Sequence, residues 1–106
     1  MRKIGGIYKA NTESELNGYF IPLIITNNVV YIYSFFLHKD TVGSNKKINH
    51  FLKNRSISNE NFWYYPILNH AEIFDECGYI GQVEENILEK LIDTLKERSV
   101  YIDGVK

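Results

Sequence analysis

Cysteine is almost absent from this chain. Its 106 residues include a single cysteine, Cys77, which has no partner for an internal disulfide. No CxxC motif or Cys/His spacing indicates a zinc site, and no Gly-rich phosphate loop, nucleophile elbow or HExxH motif is present. We therefore expect a protein that uses no structural disulfide, no metal and no cofactor.

The chain also lacks the features of a secretory leader or a membrane span. Its amino terminus, MRKIGGIYKA, has no apolar core of the kind that signal peptides carry. The uncharged stretch at residues 16–38 exceeds the roughly 20 residues that a membrane helix needs, but Gly18, Pro22 and Asn27–Asn28 interrupt it. We expect a cytoplasmic protein that does not enter the membrane.

The uncharged stretch is instead typical of a β-hairpin. Its apolar residues are mostly β-branched or aromatic, and Asn27–Asn28 marks a tight turn. A two-residue turn there places Ile24 opposite Tyr31. It also places Pro22 opposite Tyr33. Both faces are then apolar, so we expect a central hairpin that is covered on both sides. One face would carry Tyr19, Ile21, Leu23, Ile25, Val30, Ile32, Ser34 and Phe36, and the other Phe20, Pro22, Ile24, Thr26, Val29, Tyr31, Tyr33 and Phe35.

Pro22 conflicts with a regular ladder of hydrogen bonds, because it has no N–H to donate. A four-residue loop from Thr26 to Val29, an edge position or a bulge would each remove the conflict. We expect strong curvature of the strand at Pro22, of the kind found in a small barrel.

The rest of the chain predicts short strands and two helices within a single domain, residues 1–106. The clearest helix spans residues 84–98, where Ile87, Leu91 and Leu95 lie on one apolar stripe. This order of elements favours a mainly β fold, an antiparallel barrel or sheet with one amphipathic helix lying across it at the end of the chain. The other predicted elements are a short helix at 46–54 and strands at 3–10, 62–74, 79–80 and 99–106.

Charge is divided unevenly along the chain. Residues 1–58 carry a net charge of +5, which peaks at Lys46, Lys47, Lys53 and Arg55, and residues 59–106 carry −6. Such a division can steer a charged partner towards one surface. It can equally mean that the two halves attract each other within the fold.

Four segments together form a recognisable pattern: GGIYKA, YFIPLIITNN, VVYIYSF and GYIGQVEENILEKLIDTL. They resemble the PemK/MazF-like family of toxin ribonucleases. The resemblance implies an SH3-like barrel with a C-terminal helix, and it places Ser34 where the family carries Ser or Thr. The chain departs from the family in two places: Ile21 stands where a basic residue usually precedes the proline, and residues 62–74 contain no arginine. The family's ribonuclease site is therefore not evident.

A metal-independent ribonuclease needs a base, an acid and a cation around the phosphate. The residues that offer this chemistry are Ser34, Arg55, His70 and Glu72. His70 and Glu72 alternate in a strand and so share one face. The simpler interpretation, which we favour, is a polar strand edge and a solvated helix face.

The aromatic run Phe62 to Tyr65 has three interpretations. Its aromatic rings, Trp63 and Tyr64 above all, would stack bases beside Lys46, Lys47, Lys53 and Arg55 in a nucleic-acid-binding module. Tyr and Trp are also enriched at protein-interface hot spots. The third interpretation is that alternate members simply belong to the core.

Our leading hypothesis is a non-catalytic bacterial immunity or antitoxin-like protein that neutralises a basic toxin or nuclease domain. Electrostatic complementarity of that kind speeds association and sets specificity. A diverged PemK/MazF-like endoribonuclease and a small nucleic-acid-binding module are the alternatives, and a homodimer is left open. The partner-binding residues would be Glu72, Asp75, Glu76, Glu84, Glu85, Trp63 and Tyr64.

Overall fold

The computed structural model describes five segments of the chain, residues 4–10, 16–38, 44–57, 61–66 and 78–97. They contain five strands and two helices. These are β1 (Gly6–Ala10), β2 (Leu16–Ile25), β3 (Val29–His38), α1 (Asn45–Lys53), β4 (Phe62–Pro66), β5 (Gly78–Gln82) and α2 (Glu85–Lys96). The strand predicted at 99–106 and the second part of the one at 62–74 lie outside these segments.

The five strands form one antiparallel sheet in the order β4-β3-β2-β1-β5. The hairpin of β2 and β3 lies at its centre, as predicted. The mainly β class and the helix near the end of the chain are therefore confirmed. Among the described strands, β4 and β5 form the two edges and do not pair with each other, so the sheet is not closed into a barrel.

The hairpin turn is built by a threonine side chain. The backbone N–H of Thr26 donates to the Val29 carbonyl at 2.8 Å, and the Thr26 hydroxyl oxygen accepts from the Val29 N–H at 2.9 Å. No non-glycine residue of the described segments has a positive φ. The turn lies at Asn27–Asn28 and places Thr26 opposite Val29, as predicted, but it forms without the positive φ that the usual mirror-image hairpin turns need.

A bulge beside Pro22 changes the pairing of the hairpin. Ile24 lies opposite Tyr31 as predicted, but Pro22 lies opposite Ile32 rather than Tyr33, because the register shifts between Pro22 and Ile24. A bulge places two residues of one strand against one of the other, so each side chain beyond it changes partner. The predicted faces hold between the turn and the bulge. On the far side of the bulge they are wrong, because Tyr19 and Ile21 share a face with Tyr33 and Phe35.

One face of the sheet packs against both helices and forms the main core. The apolar stripe of α2 and the buried side of α1 lie against central strand residues, as their spacing predicts. We call this the covered face. Its buried members include Ile7, Tyr19, Ile21, Tyr31, Tyr33 and Phe35 from the sheet, and Ile48, Leu52, Ile87, Leu91 and Leu95 from the helices.

The opposite face, which we call the outer face, is partly buried and partly open. Val30 and Ile32 are almost fully buried, so the hairpin is covered on both sides as predicted. Phe36, Trp63 and Tyr79 expose about half of their surface. Neither of the two described helices is long and apolar enough to cross a membrane.

Candidate functional site

The structure separates two of the four predicted ribonuclease residues. Ser34 lies on the outer face, where its hydroxyl donates to the Asn61 carbonyl at 3.4 Å and its own carbonyl accepts from the Asn61 amide at 2.7 Å. Arg55 follows α1 on the covered side, with its guanidinium 5.2 Å from the centre of the Phe51 ring. Phe51 in turn stacks on Phe35, the neighbour of Ser34 that points to the covered face.

Ser34 and Arg55 therefore do not share one site. His70 and Glu72, the proposed acid–base pair, lie outside the described residues, as does Cys77. Among the residues that the structure does describe, no three His, Cys, Asp or Glu side chains are grouped to hold a metal ion.

The predicted partner-binding residues divide between two places. Trp63 and Tyr64 are exposed on β4, at one edge of the sheet. Glu84 and Glu85 follow β5, at the other edge, about 19 Å away along the sheet at four strand spacings of about 4.8 Å. Glu72, Asp75 and Glu76 lie outside the described residues.

Helix α2 carries an acidic surface that extends beyond the predicted patch. Its acidic row consists of Glu85, Glu89, Asp93 and Glu97, each four residues from the next. At 100° per residue these side chains follow one line along the helix, on the side away from the buried Leu91. Asp93 and Glu97 were missed from the sequence, although their spacing was visible there.

The acidic row is not explained by the stability of the helix. Like charges at i, i+4 destabilise a helix by roughly 0.2–0.5 kcal/mol per pair. Asp93 and Glu97 also lie at the carboxyl end, where the helix dipole disfavours negative charge. No cation among the described residues forms an ion pair with any member of the row, whereas Glu84 just before it pairs with Lys53 at 3.0 Å. Such a surface is suited to a cationic partner.

Helix α1 carries the basic residues of the nucleic-acid alternative. Lys46, Lys47 and Lys53 are exposed on it. Trp63 lies opposite Ile32 and so on the outer face, whereas α1 packs against the covered face. Tyr64 lies on the same side of the sheet as α1, on the edge strand. The structure therefore does not place the tryptophan and the lysines on one surface.

A buried polar cluster fixes α1 against β5 and the start of α2. Asn49, only 7% exposed, donates from its amide to the Asn45 and Gln82 carbonyls and accepts from the Glu84 N–H at 2.7 Å. The Asn45 side-chain oxygen accepts from the Gln82 N–H at 3.1 Å. Gly81 makes the close approach possible, since a Cβ there would lie 2.6 Å from Asn45 Cγ. The cluster orients the residues where the acidic row begins.

Two buried phenols of the covered face are kept neutral. Burial raises the pKa of Tyr19 above its usual value. Burial raises the pKa of Tyr31 as well, and the neighbouring Tyr64 adds to the effect. Both side chains are at most 2% exposed. Neither phenol is therefore placed to act as an acid or a base near neutral pH.

No protein-family model, curated protein or solved structure matches this chain. The resemblance to the PemK/MazF-like family therefore stays a prediction that depends on the short segments quoted above. What the chain does has to be inferred from its own surfaces.

Proposed function

We propose that this protein is a non-catalytic binding module of the immunity or antitoxin kind, which neutralises a basic toxin or nuclease domain. The acidic row of α2 is the observation that carries this proposal. Its carboxylates have no cation partner within the described segments, and those beyond Glu85, which the helix dipole favours, do not stabilise the helix that bears them. A basic protein surface would supply the missing counter-charges.

The type of partner follows from the sign and the rigidity of this surface. A row of carboxylates repels the phosphates of a nucleic acid, so α2 is suited to a protein rather than to RNA or DNA. The buried side of the helix is anchored by Ile87, Leu91 and Leu95, which fixes the helix from which the carboxylates project. Opposed charges arranged in this way steer the encounter and suppress wrong partners.

The exposed aromatic residues of β4 fit the same class of function. Trp63 and Tyr64 each expose more than half of their surface, and both residue types are enriched at interface hot spots. They lie at the far edge of the sheet from Glu85. A partner large enough to reach both regions, or two separate contacts, would use them together.

The alternatives receive less support from the described residues. A ribonuclease needs its acid, base and cation around one phosphate, and Ser34 and Arg55 lie on opposite faces of the sheet. A base-stacking module needs aromatic rings beside its cations, and Trp63 faces away from α1.

The test uses the product of the neighbouring reading frame, which this proposal expects to be a toxic basic domain. The partner is purified with this chain, and binding is followed by stopped-flow and calorimetry. The double variant Glu89→Gln/Asp93→Asn removes two charges from the centre of the acidic row. We expect about tenfold weaker binding, most of it in the association rate, because exposed charge pairs contribute up to about 1 kcal/mol each. The difference should shrink as salt is added.

The matched control is Lys46→Gln/Lys47→Gln, which removes two exposed charges from the other helix. It should leave binding unchanged or slightly tighter. Equal weakening by both double variants would contradict the role of α2. Cleavage of RNA by the pure protein would contradict the proposal as a whole and support the ribonuclease alternative.

A further inference from the structure

A cavity of about 190 Å³ opens between the end of α1 and the side of α2. Its base is apolar and belongs to the covered face, where Tyr33, Leu52 and Leu91 are all buried. Its rim is cationic. The rim residues are Lys53 and Arg55 from the end of α1 and Asn86 and Lys90 from α2. The acidic row follows a different line along α2, so this cavity is a separate feature from the proposed partner surface.

The cations of the rim are not neutralised equally. Lys53 pairs with Glu84 at 3.0 Å. No carboxylate of the described segments pairs with Arg55 or Lys90. Three cations around one small cavity repel one another, and the single ion pair offsets only one of them. Two positive charges therefore remain to be compensated.

Arg55 is held in place by an aromatic ring. It is only partly exposed, and its guanidinium lies over the Phe51 ring at 5.2 Å. Phe51 is held in turn by Phe35, with ring centres 5.8 Å apart. A guanidinium fixed in this way loses little freedom when it binds an anion, and its planar fork matches the oxygens of a phosphate.

We propose that this cavity binds a small organic phosphate monoester. A phosphate monoester carries about −1.5 to −2 charges at neutral pH, which matches the two uncompensated cations, Arg55 and Lys90. The apolar base would bury a short carbon body attached to the phosphate. The cavity is smaller than the roughly 300–1,000 Å³ that drug-sized ligands occupy, so that body is limited to a single ring or a few carbons.

The same chemistry has two possible sources. A free phosphorylated metabolite presents a phosphate on a small body, and so does the 5′-phosphorylated end of a nucleic acid. The distinction is made by comparing phenyl phosphate with a short RNA that carries either a 5′-phosphate or a 5′-hydroxyl.

The experiment titrates the full chain with phenyl phosphate, inorganic phosphate and phenol. It follows amide chemical shifts by NMR and measures the melting temperature. We expect phenyl phosphate to bind at least tenfold more tightly than inorganic phosphate or phenol, with shifts confined to residues 52–57 and 86–91. Shifts spread over all exposed lysines, or no saturation at millimolar phenyl phosphate, would overturn the proposal.

Two variants test the cations of the cavity rim directly. Lys90→Gln changes an exposed side chain and should leave folding intact. Arg55→Gln removes the guanidinium group. Each should weaken phenyl phosphate binding by roughly 10- to 100-fold, because hydrogen bonds to charged groups contribute about 1.5–3 kcal/mol. Lys46→Gln, which removes an α1 charge outside this cavity, should leave binding within about twofold. Unchanged affinity in Lys90→Gln and Arg55→Gln would overturn the site.

Discussion

The two faces of the sheet are similar in composition and both buried at the centre, but they differ in exposure away from it. Phe35 and Phe36 are neighbours in β3, yet Phe35 is 0% exposed and Phe36 is 53% exposed. On the covered face Tyr19 stacks on Phe35 at 5.4 Å, and α1 and α2 close the layer above them. On the outer face Tyr8 stacks on Phe20 at 5.6 Å, while aromatic rings near the edges stay half in solvent.

The difference shows that the sheet alone does not decide how far burial extends across each face. Both faces offer β-branched and aromatic side chains, so either would be stabilised by burial. The apolar stripes of the two helices extend the burial on the covered face, because each helix must bury its own stripe against one side of the sheet. The outer face keeps its exposed aromatic residues, and large exposed apolar surfaces of this kind often mark interaction sites.

The largest effect that would test this comparison comes from the two adjacent phenylalanines. Phe35→Ala should destabilise the fold by roughly 3–5 kcal/mol, because it leaves a cavity beneath Tyr19 and Phe51. The measurement is urea unfolding followed by circular dichroism. Phe36→Ala is the matched control, and it should change the free energy of unfolding by less than about 1 kcal/mol. Similar losses in the two variants would show that the outer face is as tightly packed as the covered one.

The second prediction concerns two glycines of β5. A Cβ at Gly81 would lie 2.6 Å from Asn45 Cγ and 2.8 Å from Asn45 Cβ, so the asparagine cannot simply turn aside. Gly81→Ala should destabilise the fold by roughly 1–3 kcal/mol, because it separates α1 from the strand and breaks the bond from the Gln82 N–H.

Gly78 provides the control for Gly81 in the same strand. A Cβ there would meet nothing within 4 Å. Gly78→Ala should therefore be neutral or stabilise by up to about 1 kcal/mol, since alanine restricts the unfolded chain. Thermal unfolding of the two variants side by side decides the matter. An equal loss of stability in Gly78→Ala would mean that neither glycine of β5 can be replaced by a residue with a side chain.

The elements of the fold were readable from the sequence, but the pairing within the hairpin was not. Residue spacing and turn residues are local signals, so β2, β3 and α2 were predicted close to their observed bounds. The bulge at Leu23 depends on how the hairpin packs, and Pro22 signalled only that some irregularity was needed. A shift of one residue was enough to exchange the predicted faces.

The functional surfaces were only partly readable. The acidic row follows from i, i+4 spacing, and Glu85, its first member, was already among the predicted partner-binding residues. The polar cluster joins Asn45 and Asn49 to residues that lie 33 to 37 positions away, and each of its members looks ordinary in the sequence. The cavity needs Lys90 beside Arg55, a proximity that only the packing of α1 against α2 creates.

The smallest expected effect appears only in alkali and concerns the buried tyrosines of the covered face. Burial raises the pKa of Tyr19 in the folded protein above its usual value of 10.0. The unfolded chain therefore releases this proton first, and the folded state binds more protons above about pH 10. The stabilising effect of the neutral buried phenol is complete below about pH 10, and it is lost as the pH rises through the folded-state pKa.

Tyr19→Phe removes this ionisation while keeping the ring that stacks on Phe35. The loss of unfolding free energy between one unit below and one unit above about pH 10 should therefore be smaller in Tyr19→Phe than in the parent chain. Urea titrations at the two pH values measure it. Tyr31→Phe, at the other phenol of the covered face whose pKa burial raises, should reduce the pH dependence as well. An unchanged pH dependence in Tyr19→Phe would mean that water reaches the Tyr19 hydroxyl. The covered face would then not be fully buried at the centre of β2.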